Sequence, residues 1–290
     1  MTSKMTPQVS PWMRLMRLDR PIGTYLLLWP TYWALWFAAG GIPSLKTLVI
    51  FTFGVVVMRA AGCVINDYAD RNVDGSVERT KHRPLPSGEI EPRRALLLFG
   101  FLLSIALVLV LATNTMTIML SVGGLALAAT YPFLKRITHL PQVGLGAAWA
   151  WAVPMAFAAE IQSLPAALWL VFAAVILWTM AFDTYYAMVD REDDLQIGIK
   201  STAILFGRWD LAIIVSLQLI SLTLLVMAGL AFGRGWIYGL GLIVAAGLFV
   251  YQYIQARGRD REGCFSAFLN NNLVGMVIFI GLALDYQIGA

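Results

Sequence analysis

Arg94-Ala-Leu-Leu-Leu-Phe-Gly-Phe-Leu-Leu-Ser-Ile-Ala-Leu-Val-Leu-Val-Leu-Ala112 decides the fold class. After Arg94 the run carries no charge. As a helix rising about 1.5 Å per residue it matches a hydrocarbon layer roughly 30 Å thick. A two-residue break, Thr113-Asn114, separates it from a second apolar run over 115–134, so the two read as a transmembrane hairpin. Working outward, similar runs occupy 22–40, 45–66, 142–160, 165–188, 211–232, 236–256 and 266–286. Nine spans are therefore expected in an all-α, polytopic membrane protein. Of the 290 residues 59% are hydrophobic and 13% charged, against roughly 25% charged in a soluble domain.

The spans order the charge. Of the 21 basic residues, all but Lys46, Arg59 and Arg234 fall on one side of a nine-span arrangement. Lys and Arg mark cytoplasmic loops, so the N-terminus is expected in the cytoplasm and the C-terminus on the far, periplasmic side. The net charge of +4 then reflects orientation and the membrane surface, not nucleic-acid binding. The basic N-terminal segment leads into an unbroken series of spans, so a cleaved signal peptide is not expected. Cys63 and Cys264 read as packing residues. Residues 1–290 read as one membrane-embedded domain, with possible four-helix halves over 12–140 and 141–262 and a ninth helix over 266–286.

Most of the acidic residues gather in two long cytoplasmic loops, 67–93 and 189–210. The first holds Asn66-Asp67-Tyr68-Ala69-Asp70-Arg71-Asn72-Val73-Asp74. Asn66, Asp70 and Asp74, spaced i, i+4, i+8, would share one helical face, where like charges repel unless a cation sits among them. The second holds Asp183 and Asp190-Arg191-Glu192-Asp193-Asp194; Asp183 and Asp190 are seven apart and Asp190 and Asp194 four apart, so one helical face would again carry several carboxylates. Carboxylate and amide oxygens suit Mg²⁺, which binds one or two carboxylates together with substrate phosphates. Asp70, Asp74, Asp190 and Asp194 would balance two Mg²⁺ ions, and a diphosphate would then call on Arg71, Arg79, Lys81, Arg83, Lys135, Arg136 and Lys200. Tyr131 and Lys135, four apart at the end of a span, face one space; Lys135 serves either that site or the membrane surface. The alternative for each cluster is a solvated acidic helix end.

Arg59 lies inside a span, and an arginine there marks a site or an ion pair. At 100° per residue Arg59, Asn66 and Asp70 fall within about 40° of one face. Arg59 is the candidate for an anionic acceptor or the diphosphate, and the alternative is a structural pair with Asp183. Arg79 to Gly88, with Pro84 and Pro86, makes a stiff basic loop able to cover phosphates. His82 and His139 lack partners for a zinc site, and no phosphate-binding GxxxxGK[ST] or nucleophilic GxSxG run occurs. Intramembrane charge also fits a secondary transporter, although here the acids sit at one face and not at the midplane. A scaffold that binds lipid diphosphates without turnover is a third reading.

Asn66-Asp-x-x-Asp70-x-x-x-Asp74 and Asp190-x-x-x-Asp194 resemble the paired motifs of the UbiA superfamily of intramembrane prenyltransferases. The likeness extends to Arg17-Leu-Asp-Arg-Pro-Ile-Gly-Thr-Tyr-Leu-Leu-Leu-Trp-Pro-Thr31, Arg79-Thr-x-x-Arg83-Pro, Tyr131-Pro-x-x-Lys135 and Asp183 to Ser201. The N-terminal stretch and Ala187-Met-Val-Asp-Arg-Glu-Asp-Asp194 are most similar to the bacterial branch that acts on 4-hydroxybenzoate in ubiquinone biosynthesis. The resemblance implies nine helices around a cavity open sideways to membrane lipid, and Mg²⁺ bridging a polyprenyl diphosphate to both motifs. It also implies transfer of the polyprenyl group to the 3-position of 4-hydroxybenzoate at the inner membrane. Homogentisate, dihydroxynaphthoate, haem or chlorin are the other acceptors the superfamily suggests. On this reading Asn66, Asp70, Asp74, Asp190 and Asp194 hold metal, and Arg71, Arg83, Lys135, Tyr131 and Lys200 hold diphosphate. Arg59 and Asp183 meet the acceptor, and Asp190 or Asp67 activates the phenol.

Overall fold

The computed structural model describes residues 9–72, 74–76 and 80–289. In chain order the α-helices are α1 (Pro11–Leu15), α2 (Ile22–Ala39), α3 (Leu45–Asp70), α4 (Pro92–Leu111), α5 (Thr115–Ile137), α6 (Pro141–Ala150) and α7 (Ala152–Ile161). Then come α8 (Leu168–Val189), α9 (Arg191–Ile197), α10 (Thr202–Phe206), α11 (Asp210–Ala231), α12 (Trp236–Ala256) and α13 (Arg261–Ile288). No strand occurs among the described residues. Eight helical segments are long and apolar enough to cross a membrane among those residues. The remaining expected span is α2, 18 residues long and rich in aromatic residues, with Tyr25, Trp29, Tyr32, Trp33 and Trp36. Leu97, Phe101, Val108, Met119 and Val122 are exposed along α4 and α5, the outward apolar surface of a protein whose solvent is lipid.

Short polar caps set the helix ends. Ser44 Oγ accepts from Thr47 N at 3.2 Å, Asn114 Oδ1 from Thr117 N at 2.9 Å and Asp260 Oδ1 from Gly263 N at 2.7 Å, each satisfying a backbone donor that the first turn leaves unpaired. Pro92 and Pro141 open α4 and α6, where a missing N–H costs nothing. The span expected over 142–160 is divided at Trp151 into α6 and α7, three residues before Pro154.

The helix α13 ties the bundle together. Asn270, Asn271 and Asn272 follow one another about 100° apart around its axis, so each points to a different neighbour. Asn270 Oδ1 accepts from Gln252 Nε2 of α12 at 3.0 Å, Asn271 Oδ1 from Trp178 Nε1 of α8 at 2.9 Å, and Asn272 Oδ1 from Trp29 Nε1 of α2 at 2.8 Å. Inside a membrane such groups must pair with one another, and these do. The contact between α12 and α13 is close because Gly241 meets Gly281; a Cβ on Gly281 would stand 3.0 Å from the Gly241 Cα.

Two expectations about helix faces are corrected. The helix α3 ends at Asp70, and Asp74 lies in a separate 3₁₀ turn, Asp74–Ser76. Asn66, Asp70 and Asp74 therefore do not share one helical face. Asp183, Asp190 and Asp194 likewise do not lie on one helix, because α8 stops at Val189 and Asp190 is the hinge before α9. At both sites a continuous helix would stack like charges turn upon turn. The chain instead bends and brings the carboxylates toward a common space from different directions.

Candidate active site

A cavity of about 890 Å³ opens among α3, α5, α8 and the segments that follow α3 and α8. Asn66, Asp67 and Asp70 enter it from the last turns of α3 and Asp74 from the 3₁₀ turn. Asp183 enters from α8, Asp190 from the hinge and Asp194 from α9. Tyr131 and Lys135 come from α5, with Arg83 and Lys200 from the connecting segments. Arg59 lies two turns before Asn66 on α3, on the same wall. Of the expected cations, Arg71, Lys81 and Arg136 are not among the residues that line the cavity. Arg71 folds back on its own helix end, Nη1 donating to Tyr68 O at 2.6 Å with the guanidinium 4.3 Å from the Tyr68 ring. The expected roles of Arg79 and of the N-terminal Lys4 fall outside the described residues.

Asp67, Asp70, Asp74 and Asp190 are only 1, 3, 7 and 8% exposed, so carboxylates in this wall need counter-charges. Lys135 Nζ pairs with Asp70 Oδ2, and Arg136 Nη2 stands 3.8 Å from Asp70 Oδ1. Arg83 Nη1 donates both to Asp67 Oδ1 at 2.9 Å and to Asp74 Oδ2 at 2.8 Å. Arg17 Nη2 spans both oxygens of Asp67, at 2.9 and 2.8 Å. Burial pushes the Asp74 carboxyl above its ordinary range; Arg83 opposes the shift, while the charges of Asp67 and Asp70 add to it. Proton loss from Asp74 is therefore favoured by any cation added to this wall.

A second set of pairs braces the other wall. Asp210, fully buried at the start of α11, accepts from Arg191 Nη2 at 2.5 Å and from Arg259 Nη2 at 2.8 Å. Arg259 sits at φ 55°, a left-handed turn that aims it back at Asp210. Arg261 Nη2 donates to Asp193 Oδ1 at 3.1 Å. The connection between α12 and α13 thus grips residues on either side of Glu192 and fixes the hinge at Asp190.

The carboxylates fit a divalent ion that completes its shell with substrate. The donors are hard oxygens facing one cavity, and cations already balance part of their charge. Among the described residues no three carboxylate, imidazole or thiol groups converge closely enough to hold an ion alone. Such a wall suits Mg²⁺, which rarely uses an all-protein cage and takes phosphate oxygens instead.

A second, apolar groove of about 450 Å³ runs among α3, α4, α5 and α7, past Phe51, Leu103, Leu107 and Met155. Arg59, Gly62, Tyr131 and Trp149 line both spaces, so the groove meets the polar cavity at the Arg59 level. Residues 27–277 match the UbiA prenyltransferase family. The chain belongs to the UbiA prenyltransferase family. A 4-hydroxybenzoate octaprenyltransferase of Ectopseudomonas mendocina is 59% identical over 287 residues, covering 99% of this chain and 97% of that protein. Among solved UbiA structures, the apo form of a homologue from Aeropyrum pernix superposes with a TM-score of 0.80 at 28% identity, over 90% of this chain and 97% of that one. A UbiA homologue from Archaeoglobus fulgidus bound to GPP and Mg²⁺ superposes with a TM-score of 0.74 at 21% identity, over 96% and 100% of the two chains.

Several residues of the site carry no local signal in the sequence. Arg17 lies within the stretch that resembles the UbiA superfamily, but its partner Asp67 is 50 residues away. Trp149, Gln142 and Tyr186 line the cavity without any charge pattern to mark them. Gln142 Oε1 accepts from Thr202 N at 3.2 Å and holds the start of α10 against α6.

Proposed function

We propose that the protein transfers the polyprenyl group of a polyprenyl diphosphate to the 3-position of 4-hydroxybenzoate, a membrane step of ubiquinone biosynthesis. The observation that carries this reading is the meeting of an acidic and basic cavity with an apolar groove at Arg59, Gly62, Tyr131 and Trp149. Only an amphiphile with a highly charged head and a long hydrocarbon tail uses both. The name of the Ectopseudomonas relative supports 4-hydroxybenzoate as acceptor and makes octaprenyl diphosphate the first donor to test. The Archaeoglobus homologue with GPP and Mg²⁺ supports the same ligand classes. Residues 1–290 act as one unit in the bacterial inner membrane, with the N-terminus and the site at the cytoplasmic face. The segregation of Lys and Arg supports this orientation.

On this reading Asn66, Asp70, Asp74, Asp190 and Asp194 hold Mg²⁺ through oxygen. Bound there, the ion supplies Lewis-acid stabilisation of charge on the diphosphate. Lys135 and Arg83 exchange part of their carboxylate pairing for phosphate oxygens, and Tyr131 and Lys200 border the same space. The groove keeps water from the allylic fragment as its C1–O bond breaks heterolytically, the electron pair leaving with the diphosphate. Arg59 holds the acceptor carboxylate, with Asp183 on the facing wall. The ring carbon ortho to the hydroxyl then attacks C1, forming the C–C bond, and the ring proton passes to a base. Of the two expected bases, Asp67 has its oxygens turned to two guanidiniums, those of Arg17 and Arg83. Asp190, at the hinge after α8, is the other expected base.

The test uses purified protein in lipid with radiolabelled 4-hydroxybenzoate and octaprenyl diphosphate. Label enters the organic phase with Mg²⁺ and stays in water with EDTA. Label that stays in water under both conditions, while another aromatic acceptor is prenylated, would remove 4-hydroxybenzoate. Absence of diphosphate release with every acceptor would remove the transferase reading.

A further inference from the structure

Arg59 stands out among the cations of the cavity. Arg17, Arg83 and Lys135 each pair with a carboxylate. The Arg59 Nε is buried and no described group hydrogen-bonds it; the Trp149 ring centroid lies 5.8 Å from Cζ, and Tyr131, Tyr186 and Asp183 lie near enough to act on its charge. Its guanidinium instead occupies a notch in the backbone of α2. The notch exists because residue 23 has no side chain. A Cβ built there would stand 2.6 Å from Arg59 Cζ and closer still to Nε and Nη2. Gly23 lies in the first turn of α2 with no left-handed φ, so its backbone does not require glycine. Helix propensity disfavours glycine against alanine at such a position. The missing atom serves the arginine and not the helix.

We propose that Gly23 is a positioning residue for acceptor recognition: it lets the Arg59 guanidinium seat against α2, at the height where an aromatic carboxylate docks. This rests on the reading of Arg59 as the carboxylate partner of 4-hydroxybenzoate. Restoring van der Waals distance to a Cβ at 23 moves the guanidinium by about 1 Å. The atom displaced is the end of a flexible side chain, so the helix itself is spared. A bidentate guanidinium–carboxylate contact has fixed directions and does not tolerate such a shift. The three atoms nearest that Cβ all belong to Arg59, and none belongs to a metal-facing carboxylate.

The experiment compares Gly23→Ala, Arg59→Ala and the double variant in lipid, with KM measured separately for 4-hydroxybenzoate and octaprenyl diphosphate. Where turnover is too slow, binding of radiolabelled 4-hydroxybenzoate replaces it. Gly23→Ala raises the KM for 4-hydroxybenzoate by about tenfold or more, with the diphosphate KM and the thermal midpoint held. In the Arg59→Ala background the same change has no further effect on acceptor affinity. An unchanged acceptor KM in Gly23→Ala, beside a raised one in Arg59→Ala, overturns the proposal and leaves the Arg59 reading intact. No change in either single variant removes the Arg59 reading itself. A lowered thermal midpoint, equal losses for both substrates, or an additive double variant makes Gly23 a packing residue and overturns the proposal.

Discussion

Asp70→Ala and Asp190→Ala are each expected to lower kcat by on the order of 10³-fold at saturating Mg²⁺, with the protein still inserted and folded. The two carboxylates enter one cavity from opposite walls, Asp70 at the end of α3 and Asp190 at the hinge after α8. Charge that develops on a departing diphosphate is stabilised only where both walls contribute. Loss of either leaves the ion and substrate anchored on one side. The second readout is thermal. In the unaltered protein, Mg²⁺ with an unreactive diphosphate at about 100 times its Kd adds about 2.7 kcal/mol of stability, since it binds the folded state alone. Either variant loses most of that gain while its midpoint in EDTA stays near the parent value. Lys135 loses its partner in Asp70→Ala, but the same change relieves the repulsion that helps push the Asp74 carboxyl up. If Asp190→Ala retained turnover at ordinary Mg²⁺, the second motif would be structural and the reading of its residues would change.

The spans were legible because a lipid-facing helix announces itself by length and absence of charge. Leu97, Phe101 and Val108 are exposed for that reason and could not be otherwise. The span α2 was legible as an apolar run like the others. Its aromatic residues are spent on contacts such as Trp29 to Asn272 and Trp33 to Trp178. The carboxylates of the site were legible because acids crowded at one membrane face are costly without a cation. Spacing alone misled about how they are presented. It placed Asp74 on the helix of Asp70, and Asp183 on that of Asp190 and Asp194, whereas the chain bends after Asp70 and at Asp190. Pairings across the chain, such as Arg17 with Asp67 or Arg259 with Asp210, carry no local signal, because both partners look ordinary in their own segments. The notch at Gly23 was invisible for a related reason: a glycine reads as a break until the side chain filling its space is seen.

The pairing of Arg17 and Arg83 on Asp67 leads to the largest expected effect on folding. Asp67→Asn removes a carboxylate that is 1% exposed and leaves two guanidiniums, themselves 22 and 15% exposed, facing a neutral amide. Breaking one side of a buried ion pair costs on the order of 3 kcal/mol, most of it from the charge left without a partner. Asp67 joins three parts of the chain: the segment before α2 through Arg17, α3 itself, and the loop carrying Arg83, which also reaches Asp74. Arg17 holds a left-handed φ of 56°, a strain that persists only while its far end is fixed. The variant is therefore expected to melt well below the parent in EDTA and to expose the segments around Arg17 and Arg83 to protease first. Its Mg²⁺ concentration for half-maximal activity should stay within about twofold of the parent value, because a clamp that touches no metal changes the amount of competent enzyme more than the affinity of the ion. Arg17→Gln should reproduce part of the loss and add little to Asp67→Asn, since the two remove the same contact. The opposite pattern, an unchanged midpoint with a Mg²⁺ requirement raised tenfold, would make Asp67 a ligand of the ion. Arg17 would then be a phosphate contact parked on a carboxylate, and the first motif would contribute Asp67 to the ion alongside Asp70.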